Sequence, residues 1–394
     1  MKSLILKIKK ANSEGRLSAA IKSKAHPYFS TFKTITKARS KFSINLNSVS
    51  FKEISKDENE RVIVERIFNS YKKMKVDQLN ASLVYQPAEL WANQIKTSYK
   101  PFLDALEEDN IDKFHFFLAN FGNWDKYTGV SANMLMRRFK KSYLGRRYLK
   151  YVYFEGHLEL WNWLNGGRKS FSNLSCPEFG NQSGAYCKES FIVPSSCSNE
   201  YNTSILSELL SSDKRITIGE LGGGCGQFAY YLLRKSVNST YIDVDLPETL
   251  CLAAYYLMMS FPDKKTLLYG EGKFSSAAYE DFNLIFMPSF EIENIGQNSI
   301  DLFVNKNSLG EMTSEAAKNY LYFILKSTKY FFHMNHEIYR NIFSTESKSS
   351  LNHEFLMTEE SFQLLFRYPD IWHMLQNGKI DFYMDIFMYL YKRK

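Results

Sequence analysis

The stretch ITIGELGGGCGQF, residues 216–228, constrains the fold of this 394-residue chain more than any other. A short run rich in β-branched residues predicts a strand over 215–221. The glycines that follow let the backbone turn sharply without a Cβ in the way. GQFAYYLLRKS then places apolar residues at helical spacing. A strand, a glycine turn and a helix in this order predict a unit of an α/β fold in which a ligand can lie against the turn.

Strands and helices continue to alternate after this unit. The predicted strands are 239–245, 283–288, 299–307 and 329–335, and the predicted helices are 247–261 and 313–328. Such alternation is typical of a mostly parallel sheet joined by right-handed crossovers. Near the C-terminus, Asn377-Gly378 lies between IWHMLQ and KIDFYMDIFMYLY and predicts a hairpin. That terminal hairpin would add an antiparallel strand to the sheet.

The chain divides into four predicted parts. Residues 1–45 form a basic leader, and 46–165 form a helical N-terminal region with apolar residues three and four apart. Residues 166–200 are rich in Gly, Ser, Asn and Pro and predict a long irregular connection or lid. Residues 201–394 hold the alternating strands and helices. The basic stretch 137–150 is interpreted as the wet face of an amphipathic helix.

The net charge of +8 belongs almost wholly to the leader. Residues 1–42 carry eleven Lys or Arg and one acid, Glu14, so the rest of the chain is close to neutral. A leader of this kind can attach peripherally to an anionic membrane surface at the inner face of a cell membrane. The alternative is a solvated tail, which is the commoner role of a charge run.

The five cysteines form no CxxC pair and no metal-ligand spacing, which indicates a reducing, cytoplasmic compartment. The longest apolar run, LCLAAYYLMMSF, has the length of a buried helix and is too short to span a membrane.

Two common nucleotide motifs do not fit the glycines. A P-loop requires Lys-Ser or Lys-Thr after the turn, and none follows here. The dinucleotide fingerprint would require glycine at position 227, which is Gln227. The pattern present is Glu220-x-Gly222-x-Gly224-x-Gly226. Asp245 ends the next strand, where an acid can accept hydrogen bonds from both ribose hydroxyls of a nucleotide. Asp243 is a lesser candidate for this role.

This combination resembles the class I S-adenosylmethionine-dependent methyltransferases over residues 201–394. ELGGGCGQF is similar to their first motif, DVDLPETL to their ribose-binding turn, and DLFVNKNSLGEM (301–312) to their fourth-strand segment. Together these segments most resemble a bacterial family of sugar O-methyltransferases with a helical N-terminal part. The resemblance implies an α/β, Rossmann-like, seven-stranded methyltransferase sheet, mostly parallel, with an antiparallel terminal hairpin.

The resemblance also implies roles for individual residues. S-adenosyl-L-methionine would be the cofactor. Glu220 would orient its methionine end, the backbone of Gly222, Gly224 and Gly226 would line it, and Asp245 would hold its ribose. Ser289, in the loop after the third strand, would flank the adenine. The acceptor would be a sugar or glycan hydroxyl, in surface-glycan or glycoconjugate synthesis.

Nucleic acid is not an expected partner. Base-amino methyltransferases carry Asn- or Asp-Pro-Pro-aromatic after the fourth strand, whereas residues 305–308 are Asn-Lys-Asn-Ser. The chain has no Pro-Cys nucleophile, and its nearly neutral body lacks the basic footprint of a nucleic-acid binder.

A sugar hydroxyl needs a general base, and the carboxyl ends of the strands supply three candidates. Glu311 follows the fourth strand, while His333 and His336 flank the end of the fifth. Glu311 could instead stabilise the N-terminus of the next helix, and His333 could be a packed strand residue. No metal site is assigned, because Asp245, beside Asp243 and Glu248, is given to the ribose. Two other functions stay open: methylation of a non-sugar small molecule, or an inactive scaffold with this fold.

Overall fold

The computed structural model describes residues 41–394 except 49, 125–132, 211–213, 345–346, 356, 358–359, 377–378 and 381–384. The predicted basic leader therefore lies almost wholly outside the described residues, and so does the predicted Asn377-Gly378 turn. No helix within the described ranges is both long and apolar enough to cross a membrane.

A small antiparallel sheet joins the two ends of the first half of the chain. Its strands are β1 (Ile44–Leu46), β2 (Ala185–Cys187) and β3 (Ser190–Ile192), with β2 in the middle. The segment 166–200, predicted to be irregular, therefore contains a hairpin. Its short strands carry no detectable alternation, because three residues are too few for a period of two to show.

The main sheet has eight strands, one more than predicted. They are β4 (Ile216–Leu221), β5 (Ser239–Asp245), β6 (Thr266–Leu267), β7 (Leu284–Pro288), β8 (Ile300–Lys306), β9 (Thr328–His336), β10 (Phe362–Pro369) and β13 (Ile386–Arg393). Their order is β10-β13-β9-β8-β4-β5-β7-β6. All neighbours from β9 to β6 are parallel, and β13 is antiparallel to both β9 and β10. The extra strand is β6, whose two residues give no sequence signal.

Two short antiparallel strands on either side of residues 377–378 form the predicted terminal hairpin, but they do not join the main sheet. IWHMLQ begins as a helix, Ile371–Met374, because Asp370 caps it by accepting from the backbone N–H groups of Trp372 and His373. The short strands β11 (Leu375–Gln376) and β12 (Lys379–Ile380) pair only with each other. The antiparallel strand β13 instead pairs with β10, which the sequence analysis did not identify.

Helices cover both faces of the main sheet and make up most of residues 58–164. They are α1 (Glu58–Gln78), α2 (Glu89–Ser98), α3 (Lys100–Glu107), α4 (Ile111–Asn120), α5 (Asn133–Lys140), α6 (Tyr143–Tyr148), α7 (Gly156–Leu164), α8 (Ser196–Leu209), α9 (Gln227–Lys235), α10 (Pro247–Ser260), α11 (Ala278–Asp281), α12 (Ser314–Ser327) and α13 (Ile371–Met374). A π-helical turn, Leu149–Glu155, connects α6 to α7.

Helix α1 shares a hydrophobic core with the main sheet and with α10. Two buried carboxylates, Glu60 and Glu248, fix this arrangement through polar contacts. Glu60 of α1 accepts from the Tyr255 hydroxyl of α10 at 2.6 Å and lies 2.8 Å from His115 Nε2 of α4. Lys75 of α1 forms an ion pair at 2.8 Å with the buried Glu248 of α10. Residues before 166 and after 201 are therefore packed as one body, and this packing brings residues 82–91 to the sheet edge where β4 ends.

Candidate functional site

The glycine turn joins β4 to α9 at the point where the strand order reverses. From β4 the chain moves outward to β5 and β7 and then returns to β8 on the other side of β4. The carboxyl ends of β4 and β8 therefore diverge into a crevice, where open α/β sheets bind ligands. The backbone of Gly224 has φ +63°, and a Cβ there would meet no atom within 4 Å. Gly224 thus presents bare backbone to open space.

The flanking glycines are needed for close packing. A Cβ on Gly222 would lie 2.4 Å from Ser308 Oγ in the loop after β8. Gly226 starts α9 and presses against Leu257 of α10, which a Cβ would approach to 3.0 Å. Gly222 lines the cavity described below, whereas Gly226 does not. The predicted cofactor-lining role thus fits the position of Gly222 and Gly224, while Gly226 sets how closely α9 approaches α10.

Two aspartates at the end of β5 hold the turn in place. Asp245 accepts from the backbone N–H of Gly224 at 3.0 Å and from that of Leu246 at 2.7 Å. Asp243 is fully buried behind the turn and accepts from Gly223 N–H at 3.2 Å. Burial raises the pKa of both carboxyl groups. The charge of Asp245 adds to the shift of Asp243, and the hydrogen bonds to the backbone N–H groups of Leu246 and Gly224 oppose the shift of Asp245. Only Asp245 of the two lines the cavity, which is the placement that the sequence analysis expected of a ribose ligand.

Glu220 is the one acidic residue of β4 and is almost fully buried. The Tyr241 hydroxyl donates to its Oε2 at 2.6 Å, which fixes the carboxyl group at the cavity wall. Burial raises the pKa of Glu220 to about 7, and the nearby Lys306 opposes that shift. A buried carboxylate in this setting is stabilised by a cationic ligand such as an ammonium group.

Glu220, Gly222, Gly224 and Asp245 face one cavity of about 740 Å³, which is ample for a nucleoside and a second small molecule. The glycine turn lines the cavity, and so do residues 82–84, 86–88 and 91, before and within α2. The side chains that complete it are Ser195, Asn199, Gln227, Phe228, Leu246, Thr249, Lys306, Asn307, Ser308, Glu311, Met312, Thr313, Glu315, Ala316 and Tyr320.

Glu311 lies at the edge of this cavity, in the single 3₁₀ turn Ser308–Glu311 after β8. Its Oε2 accepts from the Trp91 indole N–H at 2.8 Å. Asn335 at the end of β9 holds the turn by accepting from Gly310 N–H at 3.1 Å. Burial raises the pKa of Glu311, while the Trp91 hydrogen bond and the charge of His336 oppose this shift. A fixed carboxylate with a raised pKa at a cavity wall is suited to accept a proton. The alternative role suggested for Glu311 was to stabilise the N-terminus of α12. The residue that caps α12 is Thr313, whose side chain accepts from Ala316 N–H at 3.2 Å.

The other three predicted site residues do not line the cavity, although all three lie in the described part of the chain. His333 is fully buried in an aromatic cluster, with its ring 4.9 Å from that of Tyr389 and nearly parallel to it. Burial lowers its pKa to about 3, so it is a neutral core residue. The prediction of a catalytic His333 is therefore wrong, because the side chain at this position of β9 points into the core.

His336 and Ser289 lie beside the cavity. His336 Nδ1 is 2.8 Å from Asp385, whose other oxygen accepts from the backbone N–H of Tyr339 at 2.7 Å. Ser289 is buried and donates to the Tyr85 carbonyl at 3.4 Å, and it also hydrogen-bonds the cavity residue Tyr320. Ser289 therefore supports the cavity wall and is not placed to contact a ligand directly.

The sequence analysis missed several cavity residues. Trp91 lies 220 positions before Glu311, and no local pattern connects the two. Lys306 and Asn307 lie in the segment 301–312, where the sequence lacks a base-methylation signature but gives neither residue a role of its own. Asn307 has φ +68°, which is uncommon for a residue other than glycine, and its buried Oδ1 has no partner in the described structure. Such strain and such an unpaired atom are common at ligand sites.

Within the described ranges, no group of three or more His, Cys, Asp or Glu side chains is arranged to hold a metal ion. Glu248, one of the three carboxylates considered, is turned away from the cavity and paired with Lys75 and Tyr71.

Sequence comparison gives no match: no model of a known protein family and no curated protein matches this chain. The fold resembles several solved structures at low similarity. A mitomycin 7-O-methyltransferase has 11% identity and a TM-score of 0.31, over 50% of this chain and 56% of its own. Magnesium protoporphyrin IX methyltransferase from Synechocystis PCC 6803, with bound SAM, has 10% identity and a TM-score of 0.33, over 50% of this chain and 81% of its own.

A TehB-like SAM-dependent methyltransferase from Corynebacterium glutamicum has 14% identity and a TM-score of 0.33, over 50% of this chain and 88% of its own. This chain thus spans little more than half the length of the mitomycin enzyme.

Proposed function

We propose that this chain is an S-adenosylmethionine-dependent O-methyltransferase that acts on a sugar hydroxyl. One observation carries the proposal: Glu220, the open backbone of Gly224, Asp245 and a fixed carboxylate, Glu311, all line the same cavity. The first three suit the ammonium, the nucleoside and the ribose hydroxyls of the cofactor. The fourth suits the deprotonation of an acceptor.

The cavity fits the cofactor in three respects. The space over Gly224 is empty for at least 4 Å, so a flat ligand can lie against the turn. Asp245 is fixed by two backbone N–H groups, so its orientation is set before a ligand binds. Glu220 is an acid held by a tyrosine hydroxyl at the neighbouring wall. When bound, the cofactor supplies an activated methyl group to a nucleophile.

The residues of this chain then have two tasks. The walls align the acceptor oxygen with the methyl donor, which is the main requirement of such a transfer. Glu311 removes the proton of the acceptor hydroxyl, and the proton stays on its carboxyl group until it is lost to solvent. Trp91 keeps the Glu311 carboxylate in one orientation by donating to Oε2.

The polar lining supports a sugar as acceptor. Besides Glu311 and Trp91, the cavity lining presents neutral hydrogen-bonding side chains. They include Ser82, Gln86, Asn307, Ser308 and Thr313. Amides and hydroxyls of this kind both donate and accept, as sugar hydroxyls do. The aromatic side chain of Trp91 adds an apolar surface beside them.

The activity is tested by incubating the full chain with methyl-labelled S-adenosylmethionine and a panel of acceptors. The panel holds free sugars, nucleotide sugars, extracted glycans and small phenols. Transfer to at least one sugar-containing acceptor is expected. Transfer only to phenols would contradict the sugar assignment and leave a methyltransferase. No binding of the cofactor by calorimetry would contradict the function as a whole.

Substitution of Asp245 tests the ribose contact. We expect Asp245→Ala to weaken the binding of S-adenosylhomocysteine by about 1–3 kcal/mol, because the ribose hydroxyls lose their acceptor. Titration calorimetry measures the change, with the exposed Asp263→Ala as the charge-matched control. Unchanged affinity in a folded Asp245→Ala protein would rule out this residue as the ribose ligand.

A further inference from the structure

Lys306 lines the cavity at the carboxyl end of β8, next to the wall that holds Glu220. Its ammonium group donates to Asn199 Oδ1 of α8 at 2.8 Å. It also lies 4.3 Å from the centre of the Phe228 ring of α9. These two contacts fix the ammonium group in one place at the cavity wall.

The positive charge of Lys306 has no ion-pair partner in the described part of the chain, where no carboxylate oxygen lies within 4.0 Å of Nζ. Glu220 and Asp370 act on it only from a distance, and burial lowers its pKa. An ammonium has three N–H donors, and only one is used by Asn199. A partly buried charge without a partner is unfavourable, so this position is ready to receive an anion.

The start of α8 points to the same ligand chemistry. Ser195, the N-cap of this 14-residue helix, lines the cavity together with Asn199 of its first turn. The N-terminus of a helix carries a partial positive charge and favours anions. Lys306 and α8 are far apart in sequence, yet both bring positive potential to one wall of the cavity.

We infer that Lys306, together with Asn199 at the N-terminal end of α8, binds the carboxylate of the cofactor's amino-acid end. Glu220 binds the ammonium group of the same end. This inference rests on the proposed function. A zwitterion needs one group of each sign on the same wall, and Glu220 and Lys306 are those two groups. An acidic acceptor would carry the same anionic chemistry, so the test must separate these two sources.

The test compares two nucleosides on the full chain by titration calorimetry. S-adenosylhomocysteine has the amino-acid end, and 5′-methylthioadenosine has the same nucleoside without it. Lys306→Met keeps the length of the side chain and its contact with Phe228. We expect it to weaken S-adenosylhomocysteine binding at least about tenfold, in line with the loss of a charge-assisted hydrogen bond, and to leave methylthioadenosine binding unchanged.

A second variant and a control complete the test. Asn199→Asp places a carboxylate beside Lys306, which should compete with the ligand and produce the same selective loss. Lys326→Met removes a charge from an exposed position of α12 and should change neither affinity.

Three results would overturn the inference. They are unchanged S-adenosylhomocysteine binding in Lys306→Met, equal loss for both nucleosides, and an effect confined to the KM of an acidic acceptor. If the unmodified chain binds neither nucleoside, the proposed function itself fails, so the two failures are distinguishable.

Discussion

Glu311→Gln is expected to lower the turnover of methyl transfer about 10²–10⁴-fold. The amide keeps the size of the side chain and can still accept from the Trp91 indole, but it cannot take up the proton of the acceptor hydroxyl. The affinity for S-adenosylhomocysteine should barely change, because the proposed role of Glu311 is to deprotonate the acceptor and not to bind the cofactor. Steady-state kinetics with the labelled cofactor measures the effect, and the exposed Glu280→Gln is the control.

The pH profile of the unmodified chain provides a second readout. Glu311 must be ionised to act as a base, and burial raises its pKa. Activity should therefore be lost as the pH falls through this raised pKa, at a higher pH than for an exposed glutamate. The Trp91 indole and the charge of His336 favour the ionised carboxylate and oppose the effect of burial. Glu311→Gln should remove this acidic limb from its residual activity.

The alternative general base is His336, which is paired with Asp385 beside the cavity. In that case His336→Ala would lose turnover on the same scale and Glu311→Gln would not. A capping role for Glu311 would show itself as a loss of about 1 kcal/mol in the free energy of unfolding, with nearly normal turnover. Either result would reject the assignment of Glu311 as the base.

Gly224→Val should abolish measurable cofactor binding, with a loss of affinity of about 100-fold or more. A branched side chain would project into the open space over the turn, where no atom lies within 4 Å of a Cβ. The backbone at φ +63° also strains a β-branched residue, at about 1–3 kcal/mol. Calorimetry with S-adenosylhomocysteine measures the affinity, and thermal unfolding measures the strain.

Gly167→Val is the matched control for Gly224→Val. Gly167 has a similar φ, +69°, and nearly open surroundings, but it follows α7, away from the cavity. It should show a comparable loss of stability with normal cofactor affinity. If Gly224→Val binds S-adenosylhomocysteine as tightly as the unmodified chain, the ligand does not lie against this turn.

The central part of the sheet was predictable because its signals are local. Strand β5 is observed at Ser239–Asp245, the predicted range, and α10 and α12 end within one residue of their predictions. Glu220, Gly224 and Asp245 could be predicted because they lie in or just after the carboxyl ends of β4 and β5. Parallel neighbours bring those ends to the same edge of a sheet, so the order of residues along the chain already places them together.

The edge strands of the sheet were not predictable, because they give no such local signal. Strand β6 has two residues, and β10 is exposed on most of its length, so neither gives the alternation that marks a half-buried strand. The helix Ile371–Met374 is capped by Asp370. The sequence analysis assigned these residues to the hairpin, because the Asn377-Gly378 signal lies only a few residues later.

Only the tertiary structure decided which predicted residues reach the cavity. His333 lies within β9 and Glu311 follows β8, and these strands are parallel neighbours. The pleat of β9 turns His333 into an aromatic cluster, while a 3₁₀ turn carries Glu311 to the cavity wall. Trp91 and Asn199 reach Glu311 and Lys306 across 220 and 107 positions of sequence. Such contacts depend on how α2 and α8 are placed against the sheet. Local sequence periodicity specifies which face of a helix is buried but not which distant side chain it will meet.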